Sequence, residues 1–216
     1  MCIRTDGIAL RSGNEFILCL GICLLGTPAS GQIFASQVGF NISIMPPVFQ
    51  INSNQRVIVC GRQVIENISV WAHYCIDKDF VLISARDRYA ESPDVDNPFL
   101  KDALFLCFDD IDEDYDDYVC MTQEQAEQVV DFVGKNKTSP LIICQCEAGI
   151  SRSGAMAAAV VWYLTGNDSQ VWDNRYLYPN RHIYRLLVNE FKKRGCKHIP
   201  DFGKKSPLIE FEDIIF

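Results

Sequence analysis

Along the middle of the chain, short apolar runs alternate with longer stretches in which apolar residues recur every three or four positions. The apolar runs have few polar interruptions, and they predict strands that are buried on both faces. They lie at Arg56–Cys60, Phe80–Ser84, Ala103–Phe108 and Leu141–Cys146. The segment Glu91–Pro98 is polar and contains proline, so it predicts a loop between two core elements rather than a domain boundary.

The stretches between and after these runs carry helical signals. Thr122 and Gln125 form a capping-box start, and a later stretch is rich in alanine, the residue with the highest helix propensity. We predict helices at Glu66–Tyr74, at Gln123–Gly134, at Ala155–Leu164, and between Asn180 and Gly195. The alternation of strands and helices predicts an α/β fold: a single domain with a central, mostly parallel sheet flanked by helices.

The two ends of the chain differ from this core. Residues 16–31 contain an apolar run followed by small residues, as in a secretory signal, although the acidic residues Asp6 and Glu15 precede the run. Residues 1–44 therefore have three interpretations: a cleaved signal, an upstream extension of a start at Met45, or a docked or disordered arm. We assign the functional domain to residues 45–195, and residues 196–216 form a C-terminal tail without a functional motif.

Composition and charge narrow the possible partners. A hydrophobic content of 48% indicates a globular chain, and a net charge of −8 argues against nucleic acid or an anionic membrane surface as the main partner. The ten cysteines lie mostly inside apolar runs, as Cys60, Cys107 and Cys144 do. This placement is typical of buried thiols in a reducing compartment and favours a cytoplasmic protein over a secreted one. No second His/Cys pair with zinc-like spacing accompanies Cys144 and Cys146, so we expect no metal.

The candidate chemistry lies where the last apolar run meets the alanine-rich helix. Such a strand, tight loop and helix direct several backbone N–H groups towards one point at a helix N-terminus, which favours a bound dianion such as phosphate. Cys146 ends the strand, and in this setting a thiol is activated as a nucleophile. Arg152 begins the helix, and its planar guanidinium can hold two phosphate oxygens.

The segment Cys146-Glu147-Ala148-Gly149-Ile150-Ser151-Arg152-Ser153 resembles the Cys-x5-Arg-Ser/Thr loop of cysteine-dependent protein tyrosine phosphatases. It looks most like the compact dual-specificity branch, including its bacterial and phage-type relatives. The resemblance covers about residues 55–194. It implies a phosphatase that needs no metal or other cofactor and acts on a phosphorylated protein or peptide.

The resemblance also implies roles for individual residues. Cys146 corresponds to the nucleophile that forms a phosphocysteine intermediate, and Ser153 to the hydroxyl that steadies the thiolate when the intermediate is hydrolysed. Arg152 and the backbone N–H groups of the loop would hold the phosphate oxygens. The phosphate-binding residues are thus Glu147, Ala148, Gly149, Ile150, Ser151 and Arg152.

The general acid of the family is an aspartate that follows a strand, and Asp110 matches it best. An acidic loop, which we define as residues 109–117, contains further candidates, because Asp109, Asp112 or Asp114 would serve if the register differs. Arg86 and Arg88 follow another strand and could face a phosphate or be ordinary loop cations.

The sequence departs from the family immediately before the nucleophile, where Gln145 replaces the usual histidine. An amide can hold the loop by hydrogen bonding but carries no positive charge. Thiolate stabilisation then depends on the loop amides, the helix dipole and Arg152. Two alternatives to an active phosphatase follow: a pseudophosphatase that binds phosphorylated partners, and, ranked below it, a redox or sulfur-transfer protein that uses the same thiol.

Overall fold

The computed structural model describes residues 46–67 and 78–200. Within these residues, five strands form one sheet. They are β1 (Val48–Asn52), β2 (Gln55–Gly61), β3 (Phe80–Arg86), β4 (Leu100–Cys107) and β5 (Leu141–Cys146). The N-terminal segment 1–44 and tail residues 201–216 lie outside the described part of the chain, so the three interpretations of the leader stay open.

The strand order across the sheet is β1-β2-β5-β3-β4. β5 lies in the centre and pairs in parallel with β2 and β3, which places Ile143 between Ile58 and Leu82. β4 extends the parallel part, whereas β1 pairs with β2 in antiparallel orientation at the edge. Every residue of β5 is buried, as its apolar composition predicts. The predicted α/β fold with a mostly parallel sheet is confirmed.

The sequence pattern missed β1. Only Phe49 is buried in this strand, and Gln50 and Asn52 interrupt its apolar character. β1 forms because its backbone pairs with the free edge of β2, an interaction that depends on the neighbouring strand more than on the composition of β1 itself. The four predicted strands all form, each within three residues of the predicted bounds.

The helices of the described residues are α1 (Arg62–Ile65), α2 (Gln123–Lys135), α3 (Arg152–Thr165), α4 (Ser169–Trp172) and α5 (Arg181–Lys193). α3 packs against β2, β5 and α5, and α2 packs against β4 and α5. The main core therefore lies between one face of the sheet and α2, α3 and α5. α3 is buried along most of its length, because its small alanine side chains let the helix lie close to the sheet.

The other face of the sheet carries a smaller apolar cluster that includes Ile65 of α1. The predicted helix at Glu66–Tyr74 falls mostly outside the described residues; the short helix α1 that is described precedes it and ends at Ile65, with Glu66 as its C-cap. The predicted capping box of α2 is present, with Thr122 and Gln125 bonding reciprocally. In the described part of the chain, no helix combines the length and apolar character needed to span a membrane.

Candidate active site

Residues 147–152, which we call the anion loop, connect β5 to α3 at the carboxyl end of the central strand. In open α/β sheets this edge is where ligands bind. Cys146 is the last residue of β5 and is 2% exposed. The parallel register places Gly61, the last residue of β2, beside it. The nucleophile predicted from the sequence therefore lies at the base of the loop.

Gly149 allows the loop to fold tightly against the turn that follows β2. Its φ of +73° lies in the left-handed region, and a Cβ atom added there would come within 2.3 Å of the Gly61 nitrogen. Gly61 is similarly close to the loop, since a Cβ added to it would lie 3.1 Å from the Ala148 oxygen. The two glycines let two backbone segments touch, and this contact sets the curvature of the anion loop.

Ser153 lies next to the nucleophile. Its Oγ is 3.1 Å from the Cys146 Sγ, and both side chains are buried. When the sulfur is a thiolate, the hydroxyl is the donor, and a hydrogen bond to a charged acceptor is stronger than one between neutral groups. The geometry suits a hydroxyl that stabilises negative charge on sulfur.

Arg152 is 4% exposed and is anchored through one nitrogen. Its Nη1 donates to the carbonyl oxygen of Phe108 at 2.9 Å and lies 2.6 Å from the Asp87 Oδ1. Its Nε is buried and has no hydrogen-bond partner among the described residues. A buried guanidinium donor without a partner is costly, so this N–H is suited to an anion bound in the loop.

Asp87 is not among the site residues predicted from the sequence. Its neighbours Arg86 and Arg88 were the candidates, but Arg86 Nη1 donates to the carbonyl oxygens of Ala90 and Asp87, at 2.7 and 3.2 Å. Arg86 therefore stabilises its own turn. The available signal for Asp87 was its position directly after β3, at the ligand-binding edge of the sheet.

The structure separates the four aspartates that the sequence left as candidate acids. Asp109 is buried, and its Oδ2 accepts a hydrogen bond from the Val119 nitrogen at 2.9 Å, which closes the acidic loop. Asp114 accepts one from the Cys120 nitrogen at 2.8 Å. Both carboxylates are thus occupied in shaping the loop.

Asp110 contacts the anion loop directly. Its Oδ1 accepts hydrogen bonds from Ser151 Oγ at 2.7 Å and from Asn180 Nδ2 at 3.1 Å. Asn180 also caps α5 by accepting from the Ile183 nitrogen at 3.0 Å, so it links that helix to the acidic loop. The sequence predicts Asn180 only as the start of a helix and gives no signal for its contact with Asp110.

A cleft of about 310 Å³ adjoins the anion loop. Asp110, Asp112, Ser151 and Tyr178 line it. Asp112 therefore shares the cleft with Asp110. The remaining lining residues are Ile111, Pro179, Asn180 and Arg181.

Gln145, which replaces the family histidine, forms a buried hydrogen bond. The Ser84 Oγ donates to the Gln145 Oε1 at 2.5 Å, and both side chains are 1% exposed. This contact joins β3 to β5 immediately before the nucleophile. Gln145 therefore holds the end of the strand without placing a charge there.

Glu147, the first residue after the nucleophile, pairs with Arg62 of α1. The Arg62 Nη1 lies 2.9 Å from Glu147 Oε1, and its Nε lies 2.8 Å from Glu66 Oε1. The Arg62 backbone nitrogen also donates to the Glu147 carbonyl oxygen at 3.1 Å. Burial lowers the pKa of Arg62, but the two carboxylates outweigh burial and raise it above the usual value.

Three other thiols in the described residues have raised pKa values. Burial is the main cause that raises the pKa of both Cys60 and Cys144 far above the usual range, and burial together with Asp114 raises the pKa of Cys120 to about 11. Residues 46–67 and 78–200 contain no group of three or more His, Cys, Asp or Glu side chains arranged to hold a metal ion. The cysteines described are all free thiols: Cys60, Cys107, Cys120, Cys144, Cys146 and Cys196.

No family model and no curated protein matches the sequence of this chain, whereas solved structures match it at low sequence identity. The human tyrosine phosphatase-like serine/threonine/tyrosine-interacting protein matches at 16% identity and a TM-score of 0.49, over 68% of this chain and 96% of that one. Human DUSP28 matches at 14% identity and a TM-score of 0.46, over 70% and 97% of the two chains. The Yvh1 phosphatase domain from Chaetomium thermophilum matches at 16% identity and a TM-score of 0.47, over 71% of this chain and 99% of that one. Identities and TM-scores in this range transfer neither activity nor substrate to this chain.

Proposed function

We propose that this protein is a phosphoprotein phosphatase that hydrolyses phosphotyrosine, and also phosphoserine or phosphothreonine, through a phosphocysteine intermediate. The observation that carries the proposal is the surroundings of Arg152. Its Nη1 is anchored by Phe108 and Asp87 while its buried Nε has no partner among the described residues, at the end of a tight loop that begins with Cys146. A guanidinium held in this way is prepared to receive an anion beside a thiol.

In the first step, the Cys146 thiolate attacks phosphorus and the bond to the leaving oxygen breaks. The loop N–H groups and Arg152 stabilise the charge on the phosphoryl oxygens. In the second step, water attacks the phosphocysteine, the S–P bond breaks, and inorganic phosphate leaves. Ser153 donates a hydrogen bond to the departing thiolate, for which its distance of 3.1 Å from the sulfur is suitable.

We assign the proton transfers to Asp110. Ser151 and Asn180 both donate to its Oδ1, and no described residue donates to its Oδ2. Oδ2 is therefore the oxygen that would carry the proton to the leaving group and later accept one from water. The hydrogen bonds that occupy Asp109 and Asp114 support Asp110 over these two neighbours.

The substrate is a phosphorylated protein or peptide in this proposal. The anion loop contains one cation, Arg152, and one carboxylate, Glu147, and the acidic loop lies beside it. Polyanionic ligands such as phosphoinositides would need further cations next to the phosphate site. A phosphomonoester on a neutral or basic peptide suits this charge distribution better.

The decisive experiment measures turnover of an aryl phosphate by the purified chain with a chelator present. We expect Cys146→Ser to abolish turnover, whereas Cys107→Ser, at a half-buried cysteine that ends β4, should retain it. Undiminished turnover by the Cys146→Ser variant would refute the proposal.

A second candidate function is phosphate recognition without turnover. It is favoured by the neutral pair of Ser84 and Gln145 behind a nearly buried Cys146, because this pair supplies no positive charge to the thiolate. Binding of phosphopeptides without a pre-steady-state burst would favour it over the phosphatase.

A further inference from the structure

We propose that Arg62 is a positioning residue of the anion loop: it neutralises the carboxylate of Glu147, and only then does the loop accept a dianionic phosphate group. The inference rests on the proposed function in taking the loop as a phosphate site. It assigns a role to α1, an element outside the strand, loop and helix that carry Cys146 and Arg152.

Two independent contacts bind Arg62 to Glu147. The backbone nitrogen of Arg62 donates to the Glu147 carbonyl oxygen at 3.1 Å, and the guanidinium Nη1 lies 2.9 Å from the Glu147 Oε1. Gly61 and Gly149 bring the two segments together, since a side chain on Gly149 would collide with the Gly61 backbone. The beginning of α1 is thus fixed against the first residue of the anion loop.

The local charge balance requires this pairing. A carboxylate at the first loop position repels a phosphate dianion, and repulsion between charges in a partly desolvated site is strong. Arg152 cannot offset Glu147 alone, because Asp87 already lies 2.6 Å from its Nη1. Pairing with Arg62 offsets the charge of Glu147 beside the anion loop.

Arg62 acts through Glu147 rather than on the anion. Its Nη1 and Nε are occupied by the carboxylates of Glu147 and Glu66, both on the protein. The two roles make different predictions. If Arg62 contacted the anion, making Glu147 neutral would not restore the binding that is lost with Arg62. If Arg62 only offsets the charge of Glu147, it becomes unnecessary once Glu147 is itself neutral.

The test measures binding of inorganic phosphate by calorimetry, which requires no turnover. We expect Arg62→Ala to raise the dissociation constant roughly three- to thirty-fold at low salt, an effect that salt should reduce. The double variant Arg62→Ala with Glu147→Gln should bind phosphate within about twofold of wild type, because removing one cation and one carboxylate leaves the net charge of the Arg62, Glu66 and Glu147 group unchanged. Arg62→Lys keeps the charge and Glu66→Gln keeps the pair with Glu147, so both should stay close to wild type.

The outcomes separate this inference from the proposed function. Equal binding by wild type and Arg62→Ala would overturn the role of Arg62 and leave the phosphate site standing. Weak binding by the double variant would also overturn it, since Arg62 would then act by direct contact or by shaping α1. If the wild-type chain binds no phosphate, the phosphate site itself fails, and the role of Arg62 fails with it.

Discussion

At the scale of single residues, Arg152 and Asp110 each keep one polar atom without a hydrogen-bond partner among the described residues. Arg152 is anchored at Nη1 and presents Nε, and Asp110 is anchored at Oδ1 and presents Oδ2. Anchoring lowers the entropy that each side chain would lose on binding, which is one source of catalytic preorganisation.

The assignment of Asp110 predicts a selective defect. Asp110→Asn should slow hydrolysis of substrates with poor leaving groups by roughly 10²- to 10⁴-fold, because only these need a proton in the first step. Substrates with good leaving groups should be much less affected. The measurement is kcat/KM for a series of aryl phosphates of different leaving-group acidity.

Asp112→Asn is the matched control for this series, because Asp112 lines the same cleft as Asp110. It should leave the dependence on leaving group unchanged. If Asp112→Asn gives the steep dependence and Asp110→Asn does not, the acid has been assigned to the wrong aspartate.

At the scale of elements, the anion loop is shaped by its contact with the turn between β2 and α1. Glycines on both sides permit the approach, and the Arg62–Glu147 pair holds it. The loop therefore depends on an element far away in sequence, which enters the site through the parallel pairing of β2 with β5.

Replacing Gly149 with alanine should disrupt this contact. The added Cβ would lie 2.3 Å from the Gly61 nitrogen at a φ of +73°, so we expect a loss of about 2 kcal/mol or more in the free energy of unfolding and loss of phosphate binding. Urea unfolding and calorimetry would measure the two effects.

Gly134→Ala provides the comparison, because a Cβ at Gly134 in α2 would meet nothing within 4 Å. Alanine is also the better helix former, so this change should be neutral or stabilising by up to about 1 kcal/mol. Similar losses in the two variants would show that the Gly149 contact has no special role.

At the scale of the whole molecule, α2 and α5 are joined by a polar network on Glu190. This side chain is 4% exposed and pairs with Lys193 and Arg194 of its own region, while Gln123 of α2 donates to it at 2.8 Å. The hydrogen bond between Gln123 and Glu190 therefore joins α2 to α5.

The pKa of Glu190 predicts that the folded state loses part of its stability at acid pH. Burial raises the pKa of Glu190, but the hydrogen bonds from Lys193, Arg194 and Gln123 outweigh burial and lower it. A carboxyl with a lowered pKa in the folded state stabilises the fold above its unfolded pKa, about 4.3, and loses that contribution as the pH falls through the folded value. We expect Glu190→Gln to cost about 1–3 kcal/mol at pH 7 and progressively less as the pH falls below about 4.

Urea unfolding of wild type and Glu190→Gln at the two pH values checks this expectation. Asp131→Asn is the control, because Asp131 pairs with Arg194 but is 64% exposed and should contribute little at either pH. A cost for Glu190→Gln that does not depend on pH would assign the effect to packing rather than to charge.

The sequence by itself determined the α/β class, the central strand β5, the three long helices and the position of the cysteine loop. These features follow from local periodicity, capping residues and the spacing of Cys146 and Arg152, all of which act within a few turns of chain. The leader and the roles of the site residues stay predictions. Only the tertiary structure decided which distant groups surround the loop: Asp87 on Arg152, Asn180 on Asp110, and Arg62 on Glu147. These contacts lie 65 to 85 positions apart and arise because parallel strands bring their carboxyl ends to one edge, an arrangement that no local pattern encodes.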